Sequence, residues 1–222
     1  MPPLHHRFVQ ANGIRMHVAD QGEGPLAVFC HGFPESWHSW RHQLAALALA
    51  GYRAVAPDMR GYGQTDAPAA IADYSMLHLV GDMVGLVLAL GATQAVVVGH
   101  DWGAPVAWHC ALLRPDLFTG VAALSVPFRG RGPVLTTTMP RTDDSDYYQL
   151  YFQEPGKAEG ELARDVRHTL RALLYGASGD APASQQITMV PRQGGFLTRL
   201  ADPAELPAWL QAADLDFYVS AP

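Results

Sequence analysis

The sequence predicts an α/β fold in which a parallel sheet is covered by helices on both faces. Short apolar runs such as Leu26–Cys30 alternate with segments of helical spacing, the rhythm of strand–helix–strand units. These runs are apolar throughout, as strands buried on both faces are. A third such run stops at Gly99-His100-Asp101-Trp102-Gly103 and a helix-forming segment begins directly after it, which marks a sharp strand-to-helix corner. With 222 residues the chain can bury about 70% of its unfolded surface, enough for a sizeable core.

In order, residues 7–9 and 14–19 are short alternating runs on either side of Asn12-Gly13, so the chain opens with an antiparallel hairpin. Leu26–Cys30, bounded by Gly24-Pro25 and His31-Gly32, is a buried strand, and residues 40–50 read as a helix stopped at Gly51. Arg53–Pro57 is the next strand and residues 58–63 the loop leaving its end. Over residues 75–90, Met76, Leu79, Val80, Met83, Val87 and Leu90 recur at helical spacing between an N-cap at Ser75 and a stop at Gly91. Residues 95–98 form the strand of the corner and residues 104–113 its helix. Pro105 is tolerated there because a first-turn N–H has no partner to lose. Residues 121–124 are a further strand. Beyond Leu124 the composition shifts to Pro, Gly and Ala, with weaker helical patches at residues 147–153, 159–175 and 203–218. A boundary is therefore expected near Val126, with a core over 1–125 and a loosely helical cap over 126–222.

Fifteen Lys and Arg against twenty-one Asp and Glu leave a formal charge of −6 without a basic stripe, which argues against a nucleic-acid partner. Cys30 and Cys110 each lie inside an apolar segment and read as buried thiols in a reducing compartment rather than a disulfide. The first ten residues hold no apolar signal core, and no stretch reaches the roughly 18 apolar residues of a membrane span. The expectation is a soluble, cytoplasmic protein with no membrane partner.

Two stretches carry the chemistry. At the corner, glycines let the backbone turn tightly and push the Asp101 side chain out at the carboxyl edge of the sheet. A carboxylate there is already anionic near neutral pH and attacks without first losing a proton. A plain connection with Asp capping the helix gives the same pattern. His31-Gly32-Phe33-Pro34 follows the earlier buried strand, at the sheet edge where a loop can lend a backbone N–H to an oxyanion hole, with Phe33 and Trp102 as the donors. Alone it is equally an ordinary Gly-Pro turn. Both stretches at matching ends of the sheet favour the catalytic reading.

His31-Gly32-Phe33-Pro34-Glu35-Ser36-Trp37-His38-Ser39-Trp40-Arg41, Asp58-Met59-Arg60-Gly61-Tyr62-Gly63 and Gly99-His100-Asp101-Trp102-Gly103 together resemble the epoxide hydrolases of the α/β-hydrolase superfamily. Asp146-Tyr147-Tyr148-Gln149-Leu150-Tyr151-Phe152-Gln153-Glu154-Pro155-Gly156 is similar to the cap segment of the soluble members, in which the tyrosine before Gln149 points at the nucleophile. The resemblance implies an α/β-hydrolase core followed by a largely helical cap, with the last strands of the sheet missing from this chain. It implies Asp101 as nucleophile and Tyr148 as the acid that protonates the epoxide oxygen, with Phe33 and Trp102 donating to the oxyanion. His31, Gly32, Pro34, His100 and Gln149 then support the pocket, the partners are a small epoxide and water, and neither metal nor cofactor takes part.

The chemistry binds these residues together. Ring opening leaves a strongly basic alkoxide, so a phenol with an ordinary pKa of about 10 held over the site is a suitable acid. Core packing beneath the cap remains the reading for Tyr147, Tyr151 and Phe152. Water then attacks the ester carbonyl on Asp101 itself, which is why an oxyanion hole is retained. By the resemblance, the base histidine, its orienting acid and a second cap tyrosine follow further on, and the chain ends in Val219-Ser220-Ala221-Pro222 without them. The expectation is attack without release. His109 and His168 read as helix-face residues, and His5 with His6 lacks a third metal ligand. A haloalkane dehalogenase has the same corner but typically Asn where this chain has Phe33. A non-catalytic remnant or binding module is the alternative from another class.

Overall fold

The computed structural model describes residues 1–130, 132–133, 135–185 and 189–220, so residues 131, 134, 186–188 and 221–222 of the expected cap lie outside the described residues. The chain divides into two compact units, Met1–Phe128 and Arg129–Ala221.

The first unit is built on a six-stranded sheet. Strands β1 (Leu4–Ala11) and β2 (Ile14–Gln21) form the opening hairpin. Ala11 pairs with Ile14, and the loop residues Asn12 and Gly13 have φ of 48° and 81°, the doubly left-handed pair that a two-residue hairpin loop needs. Then follow β3 (Leu26–Cys30), α1 (Arg41–Leu49), β4 (Arg53–Pro57), α2 (Met76–Ala89), β5 (Ala95–His100), α3 (Gly103–Leu113) and β6 (Phe118–Leu124). The strand order is β1-β2-β4-β3-β5-β6, with β3, β4, β5 and β6 mutually parallel. All five residues of β3 are buried, as its unbroken apolar run requires of a central strand. Met16, Val28, Val55, Met83, Leu86 and Val97 make the centre of the core, and Cys30 and Cys110 are buried free thiols within it.

Several elements differ from their expected limits for identifiable reasons. The helix expected over residues 40–50 begins as a 3-10 turn, Trp37–Trp40, capped by the Ser36 side chain, and becomes α-helical only at Arg41. Strand β6 starts three residues earlier than expected. Val96 pairs with Gly120 although Ala95 pairs with Phe118, so a bulge at Thr119 breaks the alternation that would have marked the strand. Helix α2 is as expected, with the Ser75 hydroxyl accepting the His78 N–H and Gly91 at φ 73° past its end.

The second unit is less uniformly helical than expected. It contains α4 (Leu135–Thr138), β7 (Ser145–Tyr147), α5 (Tyr148–Tyr151), α6 (Lys157–Leu162), α7 (Val166–Gly176), β8 (Met189–Pro191) and α8 (Ala212–Ser220). An unanticipated antiparallel pair, β7 with β8, reduces the first helical patch to one turn. The second patch is two helices, because Asp165 leaves the helix and caps α7 through the His168 N–H at 3.0 Å. In the third, only residues from Ala212 onward are helical, since Pro203 and Pro207 interrupt what precedes them. Tyr151, Ala158, Leu173, Val190 and Phe196 form the core of this unit. Among the described residues no helix is long and apolar enough to cross a membrane.

Candidate active site

The parallel strands deliver four loops to one edge of the first unit: residues 31–36 after β3, 58–64 after β4, 101–102 after β5, and the chain after β6. At the β5 corner the left-handed backbone falls on Asp101 itself, with φ 49°, and not on the glycines. The glycines serve close approach instead. A Cβ on Gly99 would lie 2.1 Å from the Gly103 carbonyl oxygen, and one on Gly103 would lie 2.1 Å from that of Cys30. Helix α3 thus starts hard against β5 and β3, and Asp101 absorbs the bend, which places a strained residue at the site.

The carboxylate of Asp101 lies directly over Gly32, where a Cβ would come within 2.4 Å of its Oδ1, and the Phe33 N–H donates to that Oδ1 at 2.9 Å. Trp102, half exposed, opens α3 immediately after Asp101. The Phe33-Pro34 peptide is cis, and the Glu35 N–H closes the turn onto the Gly32 carbonyl at 3.1 Å.

Glu35, which sequence reasoning passed over, fastens this loop to the corner. Its Oε2 accepts the Gly32 N–H at 2.9 Å and pairs with His100 Nδ1 at 3.1 Å. Burial alone would push the Glu35 carboxyl up, but the hydrogen bonds from His100 and Gly32 outweigh it and hold the carboxyl below its ordinary value. The Glu35 hydrogen bond raises His100 against the opposing effect of burial. The available signal was a carboxylate three residues after a turn glycine, within reach of that glycine's N–H.

This pair has a pH signature. Stabilisation from Glu35 is complete above its ordinary 4.5 and is lost as pH falls through its lowered folded value. Stabilisation from His100 is complete below its ordinary 6.5 and is lost as pH rises through its raised value. The drop in Tm caused by Glu35→Gln is therefore largest between about pH 4.5 and 6.5 and shrinks on either side. Thermal melts across pH check this, and a pH-independent gap contradicts it.

His31 joins two loops and is fully engaged. Its buried Nδ1–H donates to the Gly32 carbonyl at 2.9 Å while Nε2 accepts the Met59 N–H, also at 2.9 Å. Burial lowers its pKa, so the neutral ring that this donor–acceptor pattern needs is the favoured form. Tyr62 packs edge-on against it at 4.9 Å, and burial, with the charges of Asp101 and Glu35, raises the Tyr62 phenol. The β4 loop is itself anchored. Asp58 accepts from His17, from the Trp37 N–H and from the Gln64 N–H, and Arg60 forms a buried two-point ion pair with Asp82 at 2.8 and 2.5 Å.

In the second unit, Gln149 Nε2 donates to the Tyr148 phenol oxygen at 3.1 Å. Tyr147 lies against the Tyr148 ring at 4.7 Å. Tyr151 is buried and donates to Glu161, whose carboxylate also takes the Phe196 and Leu197 N–H groups, so its role is packing and anchoring. His109 pairs with the Pro105 carbonyl one turn back in α3, at 2.7 Å, and His168 pairs with Asp202 at 3.1 Å. His6 is hydrogen-bonded to His17. Among the described residues no group of three or more His, Cys, Asp or Glu side chains is placed to hold a metal.

A side chain on a strained strand-to-helix corner, met by a backbone N–H from the loop of the neighbouring strand, defines an α/β-hydrolase. A family model for the alpha/beta hydrolase fold matches residues 25–181. Epoxide hydrolase A of Mycobacterium tuberculosis is 46% identical over 219 residues, and epoxide hydrolase 2 of Siraitia grosvenorii is 44% identical over 221. These alignments cover 96% and 98% of this chain and 68% of each relative. The solved structure of an epoxide hydrolase from an endophytic Streptomyces matches 97% of this chain and 66% of that one, at 49% identity and a TM-score of 0.91. The chain belongs to the epoxide hydrolase family, and it spans about two thirds of the length of these relatives.

Proposed function

We propose that the chain opens small epoxides by covalent catalysis at Asp101. The observation that carries this is the 2.9 Å hydrogen bond from the Phe33 N–H to Asp101 Oδ1. With Oδ1 so held, Oδ2 attacks a ring carbon in line, the carbon–oxygen bond breaks, and an alkyl ester forms on Asp101. Oδ1 then becomes the ester carbonyl oxygen, already beside the donor that stabilises the oxyanion when water attacks, with the Trp102 N–H as second donor. The names and coverage of the relatives support the substrate class.

The second unit acts as the cap, and Tyr148 protonates the departing oxygen. Its support is the resemblance of the cap segment, together with the Gln149 contact: a phenol oxygen that accepts a hydrogen bond is a better donor through its own O–H. His31, Gly32, Pro34 and His100 shape the loop around the nucleophile, and Gln149 orients Tyr148. The buried free thiols of Cys30 and Cys110 support a reducing, cytoplasmic setting.

Mixing the chain with styrene oxide and quenching in acid tests the reading. Intact mass rises by one epoxide per chain, and Tyr148→Phe reaches the same adduct about 10²-fold more slowly, the lower end of the range for general acids. An unmodified mass contradicts the proposal, and an undiminished rate in Tyr148→Phe removes the tyrosine from it.

A further inference from the structure

The parallel pairing of β5 with β6 ends at His100 opposite Leu124. One residue further the chain leaves the sheet at Asp101, whose N–H points back towards β6 and needs an acceptor there. The Leu124 carbonyl accepts the Val126 N–H at 2.9 Å, which closes a three-residue turn around Ser125. Ser125 has φ 63°, the rare and strained form of that turn. Its hydroxyl oxygen instead accepts the Asp101 N–H at 3.2 Å. A side chain thus stands in for the next rung of the ladder. The turn is secured from the other side, because Trp108 on α3 donates its indole N–H to the Val126 carbonyl at 3.1 Å.

From this geometry we propose that Ser125 is a positioning residue for the Asp101 carboxylate. The inference rests on the reading of Asp101 as nucleophile. Two residues with positive φ, each one position past the end of adjacent strands, are coupled through one hydrogen bond. Holding the Asp101 N–H fixes the rotation about its N–Cα bond, and with it the direction in which the carboxylate leaves the backbone. Phe33 fixes the far end of the same side chain. The nucleophile is therefore held at two points, its backbone by Ser125 and its Oδ1 by Phe33, and Oδ2 keeps one direction of attack. Ser125 touches no reacting atom, so its effect falls on the rate of ester formation and not on epoxide binding.

Ser125→Gly separates this role from a merely structural one. Glycine adopts φ 63° without strain, so the turn and the fold are spared while the acceptor is lost. Ester formation with styrene oxide, followed by quenched-flow mass spectrometry at increasing epoxide, is expected to reach a maximal rate about tenfold below that of the native chain, with the half-saturating concentration unchanged; tenfold corresponds to about 1.4 kcal/mol, the scale of one hydrogen bond. A native maximal rate in Ser125→Gly overturns the proposal, as does a fall confined to half-saturation. Amide hydrogen exchange on the native chain gives a second reading without any variant. The Asp101 N–H is expected to be protected, and exchange as fast as in an open loop overturns the proposal. A native chain that takes up no epoxide overturns the nucleophile reading instead, and a still-protected Asp101 N–H then shows that the positioning contact was sound.

Discussion

Asp101→Asn is expected to fold as the native chain does and to lose ester formation by about 10⁴-fold or more, the scale of removing a covalent nucleophile. Asparagine is suited to the test because it tolerates the left-handed φ of 49° and keeps an oxygen for the Phe33 N–H. The corner, its two close glycine contacts and the Glu35 clamp are all left in place, so stability changes by no more than about 0.5–1 kcal/mol. Acid-quenched mass spectrometry and a thermal melt measure the two effects. Undiminished alkylation of the variant places the reactive group elsewhere.

The second large effect is at Gly32. Its φ is not left-handed, so alanine costs nothing there in backbone conformation, and the whole effect is steric. The new Cβ would stand 2.4 Å from both Cβ and Oδ1 of Asp101, and since Asp101 is tied at its own backbone the carboxylate must swing off the Phe33 N–H. Displacing a reacting group by about 1 Å costs on the order of 10²-fold, and overpacking of this kind costs about 1–3 kcal/mol of stability. Gly32→Ala should therefore be folded but less stable, and slow at ester formation. A native rate in this variant means that the carboxylate does not need its place over Gly32.

Much of the first unit was legible because its physics is local or repeats at a fixed period. Leu26–Cys30 and Arg53–Pro57 are legible to the residue, since a short apolar run between turn residues has few other uses in a core. Asn12-Gly13 and Ser75 announced a hairpin and a helix start through their own turn and cap chemistry. The bulge at Thr119 hid the start of β6, because an extra residue destroys the alternation by which a strand is recognised. The second unit is less helical than its composition suggests for a related reason. Short elements such as β7 and β8, three residues each, leave no period to detect, and their pairing spans more than forty residues of sequence.

The candidate site shows the same division. Gly-x-Asp-x-Gly pointed to Asp101, but the reason for its glycines lies in contacts from Gly103 to Cys30, across strands that the motif alone does not display. His31 and His100 were expected near the site. Their partners, the Met59 N–H and Glu35, come from a different loop and from 65 residues away. Ser125 carried no motif: its place depends on where β6 ends beside β5, which is a property of the assembled sheet.

The central claim is that the carboxylate of Asp101 becomes the alkyl ester. Proteolytic mapping of the acid-quenched styrene oxide adduct tests it most directly. The account predicts that the added mass lies on the peptide containing Asp101 and is released as the diol by mild alkali, as an ester is. A mass on a cysteine or histidine peptide, stable to alkali, would contradict it.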